Sequence, residues 1–594
     1  MPPLEEYRAR LERWREAHAR GEALHRRIGN VRLAAGIAAV VLAALSLGAE
    51  LISAWWLLAP LLVLIMLGIV HDRADGARTR AARGINYYER SLSRLENRWI
   101  GQGDQGEQFR DAKHVYADDL DLFGRGSLFE LLSTARTGAG ARTLAEWLLG
   151  PGARDEVAAR QEAIAELRPR VDLREELALM GEDVRAAVDA RTLAQWGERP
   201  PVHFFAGAQV VALGLACAAV VTFALFLAHY LSLRPFLFVV LAEILYGFAV
   251  RDPVRLVMGA ASTPARELRL LGLLLEKLES EPFTSPRLAT LKRALETEGR
   301  TASAQIRRLE RRVEHLYSAR NQFFRLFAAV LVWIPQFAIA VEAWRHACGP
   351  HIGQWMSAVG EFEALCSLAC FAYERPDARF PELAEDTEPW FEADAMHHPL
   401  IASQESVPND VQLGGPNRLW IVSGSNMSGK STLLRAIGLN AVLAWAGAPV
   451  TCGRMRISPL RIGASMRSND SLVDHRSRFY AEISRLRDVV DLARAGQRTL
   501  FLLDELLSGT NSHDRRIGAE ALVRGLVERG AIGLITTHDL ALAHIAETLD
   551  GRATNVHFED QLEGGEIRFD YRLRPGVVTR SNALALMRAV GLDV

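Results

Sequence analysis

The chain has 594 residues, of which 49% are apolar and 24% charged, and this length exceeds what one hydrophobic core normally supports, so several domains are expected. Its 70 basic and 71 acidic residues give a formal net charge of -1, which excludes a chain-wide basic field for nucleic acid and confines any basic surface to a local patch. The five cysteines include no CxxC pair and no cluster at zinc spacing, as in proteins of a reducing compartment.

Two apolar runs lie close together near the N-terminus. Residues 33–49 are apolar, small or Ser, and after Glu50 residues 51–70 are again free of charge. Each run approaches the roughly 20 residues that cross the hydrocarbon core, and neither has the polar stripe of an ordinary buried helix. The runs predict a membrane hairpin, with a buried helical hairpin of a soluble core as the alternative. We expect no cleaved signal peptide, because the first run begins beyond residue 30 and a second follows at once.

A second apolar pair follows in the middle of the chain. Residues 204–228 carry few polar side chains, and residues 235–250 contain Glu243. A glutamate at bilayer depth is costly, so we expect it either to face a partner helix or to mark a function. The pair predicts a second membrane hairpin. A third run, residues 326–341, is short and contains Pro335, and it predicts a buried helix.

Arginines flank the first apolar pair on one side. They are dense in residues 8–32 and 73–83, whereas the turn at Glu50 has no basic residue. By the positive-inside rule, the N-terminus, the middle of the chain and the C-terminal half are predicted to lie in the cytoplasm. The sequence therefore predicts a multi-pass protein of the inner (cytoplasmic) membrane, with the lipid bilayer as a partner.

The middle of the chain has helical apolar spacing on both sides of the second pair. Residues 116–132 and 143–151 alternate turn glycines with that spacing, which predicts a helical domain. Residues 264–324 are charged with leucines at helical spacing, which predicts extended helical arms. Their basic cluster, residues 305–325, is either a phosphate contact or a solvated helix face.

A phosphate-binding pattern follows in the C-terminal part. Residues 424–432, GSNMSGKST, match G-x-x-x-x-G-K-[ST] and stand between an apolar strand and a helical pattern, so loop amides and a helix N-terminus converge on phosphates. Lys430 would neutralise the β- and γ-phosphates, and Ser431 would ligate Mg²⁺. The sequence therefore predicts binding of ATP and Mg²⁺ by these residues: Gly424, Ser425, Asn426, Met427, Ser428, Gly429, Lys430, Ser431 and Thr432.

Two later strands end in polar residues that belong to the same chemistry. Residues 499–505, TLFLLDE, place Asp504 and Glu505 at the carboxyl edge of a strand, where parallel α/β sheets bind ligands. Asp504 would hold Mg²⁺ through water, and Glu505 would polarise the attacking water. Residues 531–539 bring His538 to the same edge as a γ-phosphate sensor. The predicted catalytic residues are Lys430, Glu505 and His538.

In this order, the motifs resemble the MutS family of DNA mismatch repair ATPases. The stretches that carry the resemblance are GSNMSGKST, HHPL (397–400), VPND (407–410), RSRFYAEI (476–483), LLDELLSGTNSHDR (502–515), TTHD (536–539) and the closing residues 572–592. The likeness covers roughly residues 110–200 and 255–594. It implies an ABC-type ATPase that forms a homodimer, clasps each nucleotide between subunits and acts on DNA. By the same likeness, Ser477 and the loop 508–512 would reach the partner's nucleotide.

The chain departs from the family pattern at several points. The first apolar run starts near residue 31, so we expect no separate mismatch-recognition domain and no mismatch wedge. Ser406 stands where an aromatic residue often precedes VPND, and Leu507 and Ser508 replace the more usual Gly-Arg. The second hairpin interrupts the helical region near the place where a DNA clamp would extend. Any DNA contact is therefore expected to be with phosphates and sensitive to salt.

The predicted fold is an α/β ABC-type P-loop ATPase domain at the C-terminus, preceded by an all-α core and lever domain with two transmembrane helical hairpins. The expected parts are an N-terminal cytoplasmic helix (1–30), the first hairpin (31–71), a linker helix with the first part of the core (72–202), the second hairpin (203–251), the lever and core return (252–390) and the ATPase domain (391–594).

Three functions are compatible with these motifs. The first is a membrane-anchored, dimeric MutS-like ATPase whose nucleotide cycle opens and closes paired helical arms, with DNA as its substrate by resemblance. The second is a transporter subunit of the wider ABC class, but LSGT follows the LLDE strand here, whereas a transporter signature would precede it. The third is a structural or signalling membrane protein with a regulatory nucleotide site and no DNA role.

Overall fold

The computed structural model describes the following residues: 2–48, 53–187, 190–297, 299–319, 324–385, 388–425, 427–466, 478–508, 510–563 and 566–578. Across them, a helical N-terminal core is followed by a mixed α/β C-terminal region, which confirms the predicted order of these two parts. Glu50, expected at the turn of the first apolar pair, lies outside the described residues.

The N-terminus forms two long helices, α1 (Pro3–Ala43) and α2 (Leu58–Leu95), which pack against each other and are called the stalk below. Gly84 in α2 permits a close approach to α1, because a Cβ there would lie 2.4 Å from the Trp14 ring. The charged and apolar parts of α1 form one continuous helix, so the boundary expected near residue 31 is not a break in the structure.

Short helices of the core follow the stalk: α3 (Leu128–Leu132), α4 (Gly138–Leu149), α5 (Arg154–Leu167), α6 (Val171–Ala187) and α7 (Ala190–Glu198). Two of them begin at a side-chain cap. The hydroxyl of Ser127 accepts a hydrogen bond from the amide of Glu130, and the hydroxyl of Thr137 accepts one from the amide of Gly140. These caps satisfy amides that a helix start leaves without a partner, which is why the core helices begin at these residues.

A second pair of long helices follows, α8 (Ala208–Leu227) and α9 (Arg234–Ser280). The turn between them, residues 228–233, lies where the sequence placed it. At 1.5 Å per residue, the 47 residues of α9 span about 70 Å, from an apolar first part to a charged remainder that packs in the core. Glu243 in the apolar part is 7% exposed, and its Oε1 has no hydrogen-bond partner in the described part of the chain.

The chain then returns through these elements: α10 (Pro286–Ala294), β1 (Glu296–Thr297), β2 (Arg300–Thr301), α11 (Ala302–Ser318), α12 (Arg325–Val330), α13 (Trp333–Cys348) and α14 (Ile352–Glu374). The stretch 264–324 was expected to form extended arms. Instead α9 stops at Ser280, just before Pro282, and α10 folds back against α5 and α14, so the described arm consists of α9 and α11 packed together.

The last of these helices, α14, runs through the middle of the core. It packs against α4, α5, α7 and α10, and 17 of its 23 residues are buried. A helix that is apolar on all sides is stable only when neighbours cover every face. α14 leads from the core directly into the C-terminal region, so it joins the two parts of the molecule.

The C-terminal region contains these strands in chain order: β3 (Glu382–Leu383), β4 (Trp390–Met396), β5 (Asn409–Gly414), β6 (Leu419–Ser423), β7 (Arg454–Ile457), β8 (Arg461–Ser465), β9 (Thr499–Leu503), β10 (Ile532–Thr537), β11 (Ala553–Glu563) and β12 (Glu566–Pro575). Its helices are α15 (Lys430–Ala446), α16 (Arg478–Arg494), α17 (Ser512–Glu528) and α18 (Leu540–Ala543).

These strands form two sheets. One has the order β3-β7-β4-β5, and the other has the order β12-β11-β6-β10-β9-β8. In the second sheet, β11, β6, β10, β9 and β8 are parallel, and β12 pairs antiparallel with β11. All residues of β6, β9 and β10 are buried, as expected for parallel strands covered on both faces. Their carboxyl ends therefore meet at one edge of the sheet.

Three helical segments of the described residues are long and apolar enough to cross a membrane by length and composition: Pro3–Ser46, Ala208–Leu227 and Trp333–Glu374. They differ in burial. Only 6% and 17% of the most apolar windows of the first two are buried within the chain, against 89% for the third. The third segment is therefore core, whereas the first two present apolar surface outward.

Candidate functional site

The phosphate-binding pattern forms a tight loop between β6 and α15. Gly424 and Gly429 have φ angles of 156° and 103°, and Met427, at 72°, is also in the left-handed region. A Cβ at Gly424 would lie 2.7 Å from the Ser428 Oγ, so the loop closes on itself only with glycine there. α15 begins at Lys430, and its N-terminal amides and dipole point toward the loop, an arrangement that favours phosphate.

Lys430 and Ser431 open the helix and contact opposite sides of the site. The Nζ of Lys430 donates to the carbonyl of Gly424 at 2.9 Å and to that of Ser425 at 2.6 Å. The Oγ of Ser431 donates to the Oδ2 of Asp504 at 2.5 Å. Because β10 lies between β6 and β9 in the sheet, Asp504 stands two strands away from the loop and reaches Ser431 across β10.

Thr536, at the end of β10, connects the two acidic residues and was not identified from the sequence. Its Oγ1 donates to the Oδ1 of Asp504 at 2.5 Å and accepts from the amide of Glu505 at 2.8 Å. Thr536 is fully buried. Glu505 has a φ of 46°, a left-handed conformation that costs of order 1–2 kcal/mol in a residue with a Cβ. The first threonine of TTHD is the sequence signal for this role.

His538 lies on the loop after β10 and is exposed. It is absent from the lining of the cavity described next, as far as the described residues extend, whereas Lys430, Ser431 and Glu505 belong to that lining. The structure thus brings Lys430, Ser431, Asp504 and Glu505 together and places His538 outside the cavity wall.

A cavity of about 570 Å³ opens beside the loop, which is within the range of nucleotide and cofactor sites. Its phosphate-loop side is lined by Met427, Gly429, Lys430, Ser431, Thr432 and Glu505. Its other side is lined by Met396, His398, Ile401, Glu405, Ser406, Val407, Asn409, Phe558 and Tyr571, with Leu433 and Ala436 between the two sides. The cavity is therefore polar at the loop and mostly apolar and aromatic at the far side.

Tyr571 is held over the loop by Asn409, where β5 begins within the VPND stretch. The Nδ2 of Asn409 donates to the carbonyl of Tyr571 at 3.0 Å, and the amide of Leu573 donates to the Oδ1 of Asn409 at 2.7 Å. Tyr571 has a φ of 52°, and its ring is close to Gly429. Sequence reasoning missed both Tyr571 and Phe558. Tyr571 precedes the family-like residues 572–592 by one position, which is the signal that could have found it.

Ser406 has a local role in place of the expected aromatic residue. Its Oγ accepts from the amide of His398 at 3.1 Å, and its carbonyl lies 3.0 Å from the Nδ1 of His397. The Nδ1 of His398 accepts from the amide of Leu400 at 3.2 Å. Burial lowers the pKa of His398 to about 4, and the nearby guanidinium groups of Arg435 and Arg375 act in the same direction. A neutral His398 therefore forms part of the cavity wall.

The donors of the site fit ATP and Mg²⁺. The hydroxyl of Ser431 and the carboxylate of Asp504 are hard oxygen ligands of the type that Mg²⁺ prefers. Among the described residues, the buried Oγ of Ser428 has no hydrogen-bond partner, which suits an acceptor oxygen brought by a phosphate. Asn426 and Ser477 were also predicted to contact nucleotide, and both lie outside the described residues.

The loop after Glu505 is held within the same chain. The guanidinium of Arg515 donates to the carbonyls of Leu507, Ser508 and Thr510, and the amide of Leu507 donates to the Oε1 of Glu482 at 2.6 Å. These contacts fix the described part of the 508–512 loop, which was expected to approach a partner subunit's nucleotide.

Comparison with known proteins gives a consistent result. The family model described as MutS domain V matches residues 420–593. The DNA mismatch repair protein MutS of Natronomonas pharaonis is 31% identical over 255 residues, 41% of this chain and 28% of that protein. Endonuclease MutS2 of Thermus thermophilus is 35% identical over 196 residues, 33% of this chain and 25% of that protein.

A third relative, the DNA mismatch repair protein MSH3 of Phaeosphaeria nodorum, is 32% identical over 241 residues, 39% of this chain and 21% of that protein. The chain thus matches about a quarter of the length of these relatives. The family-model match, residues 420–593, covers the loop 424–432 and the strand ends that form the site.

Proposed function

Because the chain belongs to the MutS family, we propose that it binds and hydrolyses ATP with Mg²⁺ at the loop 424–432. The observation that carries this proposal is the chain of hydrogen bonds from Ser431 through Asp504 to Thr536 and Glu505, which joins α15, β9 and β10 beside the cavity. No structural part of the molecule needs so many polar groups at one open sheet edge, whereas phosphate transfer does.

Each residue has a role in this proposal. Lys430 and the loop amides neutralise and position the phosphates, and Ser431 with Asp504 holds Mg²⁺, which offsets charge on the phosphate oxygens. Glu505 orients the attacking water and accepts its proton. Thr536 positions both acidic residues without touching the nucleotide. His538 contacts the γ-phosphate after a movement of its loop.

The far side of the cavity receives the base. Tyr571 lies near Gly429 and has an exposed ring, and Phe558 lines the same side. Aromatic rings stack on any flat base, so the exposed ring of Tyr571 takes the place of the aromatic residue that is Ser406 in this chain, and the buried Phe558 supports the same wall. Asn409 keeps Tyr571 in place through the two bonds described above.

The apolar helices anchor this ATPase to a membrane. The first part of α8 and the apolar part of α1 expose large side chains, among them Val40 at 70% and Val210 at 74%. Contiguous exposed apolar surface of this kind marks a membrane or partner contact, and the arginine-rich flanks favour a cytoplasmic position for the rest of the chain. We therefore place the protein in the cytoplasmic membrane as a multi-pass protein with the ATPase in the cytoplasm.

A homodimer and DNA complete the leading proposal, and both rest on the family. Two relatives are named DNA mismatch repair proteins and one an endonuclease. In this chain, part of the basic cluster is engaged within the fold, since Arg307 pairs with Glu276 and Arg312 donates to the carbonyl of Ala340. DNA contact would therefore use the remaining exposed arginines and phosphates.

A second function is favoured by one observation. α9 runs without a break from the core into the apolar second pair, so movement at the ATPase would be transmitted into the membrane. In this alternative, the protein is a membrane-coupled ATPase for signalling or transport, with no DNA role.

Nucleotide binding is tested with Lys430→Ala in the purified full-length protein. We expect loss of ATP binding and of Mg²⁺-dependent phosphate release, with an unchanged unfolding temperature. Arg529→Ala, on the exposed end of α17, is the control for loss of a positive charge in the same domain. Hydrolysis that survives Lys430→Ala would rule out this loop as the site.

The two functions are separated by DNA binding in nanodiscs. Full-length protein is titrated with matched, mismatched and branched duplexes, with and without ATP, over a range of salt concentrations. Equal, salt-steep affinity for all three indicates phosphate contact and removes a mismatch role. No affinity for any duplex removes DNA and leaves the membrane-coupled ATPase.

A further inference from the structure

The third apolar run divides at Val332 instead of forming one buried helix. α12 ends at Val330, Val332 adopts a φ of 45°, and α13 begins at Trp333. Residues 324–332 are called the α12 segment below. Arg325 is its charged residue, and no charged side chain follows until Glu342.

The α12 segment is buried on one side and exposed on the other. It packs against α8 and α13, and Ala328 and Val332 are 4% and 5% exposed. On the opposite side, Phe327 is 66% exposed. A phenylalanine side chain left exposed to water is unfavourable, because its apolar surface is not removed from water.

Two hydrogen bonds fix the level of the segment along the molecule. The hydroxyl of Tyr317, near the end of α11, donates to the carbonyl of Met258 at 2.5 Å, and the Nε1 of Trp333 donates to the carbonyl of His315 at 2.6 Å. Met258 lies eight residues beyond the end of the apolar part of α9 at Val250, about 12 Å along the helix. The α12 segment follows α11 and is therefore at the end of the core nearest the apolar pair.

The surface around the segment has the composition of a membrane boundary. The ring of Trp333 lies 5.1 Å from that of Phe324 and 4.7 Å from that of Phe337. α12 packs against α8, and α8 exposes the apolar side chains of Val210 and Val211 near its start. Aromatic residues with a tryptophan collect at the level of lipid headgroups, beside the apolar surface that faces the acyl chains.

We propose that the α12 segment lies in the lipid interface beside α8 and α9 and inserts Phe327 among the upper parts of the acyl chains. This deepens the proposed membrane anchoring and rests on it. A bilayer is the occupant because Phe327 is exposed on a segment that packs against α8, and the apolar surface of α8 is exposed and in the anchored protein meets lipid. The segment would then give the second pair a third, in-plane contact that fixes its depth and tilt.

The proposal is tested by depth-dependent quenching in nanodiscs of full-length protein. A fluorophore sensitive to polarity is attached to Phe327→Cys in a Cys217→Ser background, because Cys217 is the exposed native cysteine and the others are buried. Native Cys217, ten residues into α8, serves as the control for deep membrane contact. Ile517→Cys, exposed on α17 of the C-terminal region, serves as the control for water. Retained ATPase activity shows that each labelled protein is folded.

We expect the label at position 327 to be quenched at least twofold more strongly by lipids with a nitroxide at carbon 5 than at carbon 12. The order should reverse at Cys217, and position 517 should respond to neither lipid. Quenching at Cys217 without quenching at 327 would overturn the α12 proposal and leave the anchoring intact. A blue-shifted but unquenched label at 327 would assign the surface to a second copy of the chain. If Cys217 is also unquenched, the anchoring itself fails, and the α12 proposal fails with it.

Discussion

The cavity beside the loop 424–432 and the junction between the stalk and the helical core both contain charged side chains, but these side chains have different partners. Lys430 and Glu505 line the open space of the cavity, and the buried Oγ of Ser428 has no partner in the part of the chain that the structure describes. Only part of the hydrogen-bonding capacity of the site is used by the protein. The unused part is available to a ligand.

At the junction, the charged groups form hydrogen bonds with one another. Arg10 on α1 donates to Glu6 at 2.6 Å, to Asp172 at 2.5 Å and to Glu175 at 3.0 Å, and the hydroxyl of Tyr88 on α2 also donates to Glu175. These bonds join the stalk to α6.

A second pair joins the stalk to α14. The Nε and Nη2 of Arg94 donate to the two carboxylate oxygens of Glu374 at 2.8 and 2.5 Å, and the two side chains are 12% and 6% exposed. The comparison teaches that buried charge by itself does not mark a functional site. Charge that converges on a cavity serves chemistry, whereas charge that is saturated within the protein serves the joint between elements. Changes in the first should alter activity, and changes in the second should alter stability.

The largest expected effect is on the activity side. Glu505→Gln should lower the rate of ATP hydrolysis by about 1,000-fold, because an amide cannot accept the proton of the attacking water. The unfolding temperature should not fall. Both are measured on full-length protein in detergent, by phosphate release and by thermal unfolding.

Glu528→Gln, an exposed residue at the end of α17, is the matched control and should be silent in both measurements. A Glu505→Gln protein that keeps its hydrolysis rate but melts early would place Glu505 with the saturated charges of the junction and break the comparison.

The next effect is on the stability side. Arg94→Met should destabilise the protein by about 3 kcal/mol, because Glu374 would stay buried without its partner. Replacing both residues, Arg94→Met with Glu374→Met, should recover most of this loss, since no charge is then buried alone. Denaturant unfolding monitored by stalk tryptophan fluorescence measures both.

Arg15→Met is the control. The Arg15–Glu89 pair is another ion pair of the stalk, but it joins α1 to α2 and is about half exposed, so it should contribute less than about 1 kcal/mol. ATP hydrolysis by folded Arg94→Met should stay within about twofold of the wild type. A collapse of hydrolysis without a loss of stability would show that this pair couples the stalk to the ATPase.

His398 combines both features, since it lines the cavity but is saturated by the protein. Its pKa in the folded state, about 4, lies below the ordinary value of 6.5. The neutral ring therefore contributes fully to stability above pH 6.5, and the contribution is lost as the pH falls toward 4. Relative to His398→Gln, the wild type should lose about 2 kcal/mol between pH 7.5 and pH 5. Unfolding midpoints at the two pH values measure this difference. Equal pH dependence of the two proteins would mean that the ring is solvated in the folded state.

Much of the C-terminal region was predictable because its signals are local. Each signal there is a short contiguous stretch, such as the loop 424–432 or the acidic end of β9. Buried parallel strands are also apolar throughout, so they can be recognised from the sequence. The junction was not predictable. Arg10 and Glu175 are 165 residues apart, and on its own each looks like a charge on a solvated helix face. Their burial depends on which helices meet, and no periodic pattern within one helix encodes that.

The same reason explains what was missed in the cavity. Phe558 lines the cavity, and Thr536 holds Asp504 and Glu505 beside it. Both residues stand on strands that become neighbours of β6 only when the sheet assembles. The loop side of the cavity was predictable because one contiguous loop supplies most of its lining. The far side, where we propose that the base binds, was not predictable, because separate segments contribute single side chains there.

The smallest expected effect tests that base end. Tyr571→Ala should weaken binding of an ATP analogue by about five- to tenfold, close to 1 kcal/mol, which is the usual contribution of one aromatic stacking contact. Tyr571→Phe keeps the ring and should bind within about twofold of the wild type. Asn409→Ala should reproduce part of the loss, because Asn409 holds the carbonyl of Tyr571 and the amide of Leu573. The ATP hydrolysis rate at saturating nucleotide should change little in all three, since none of them touches Glu505 or Asp504 through a described bond. Undiminished affinity of Tyr571→Ala would move the base toward Phe558, whereas a loss of hydrolysis rate at saturation would show that this end of the cavity also positions the phosphates.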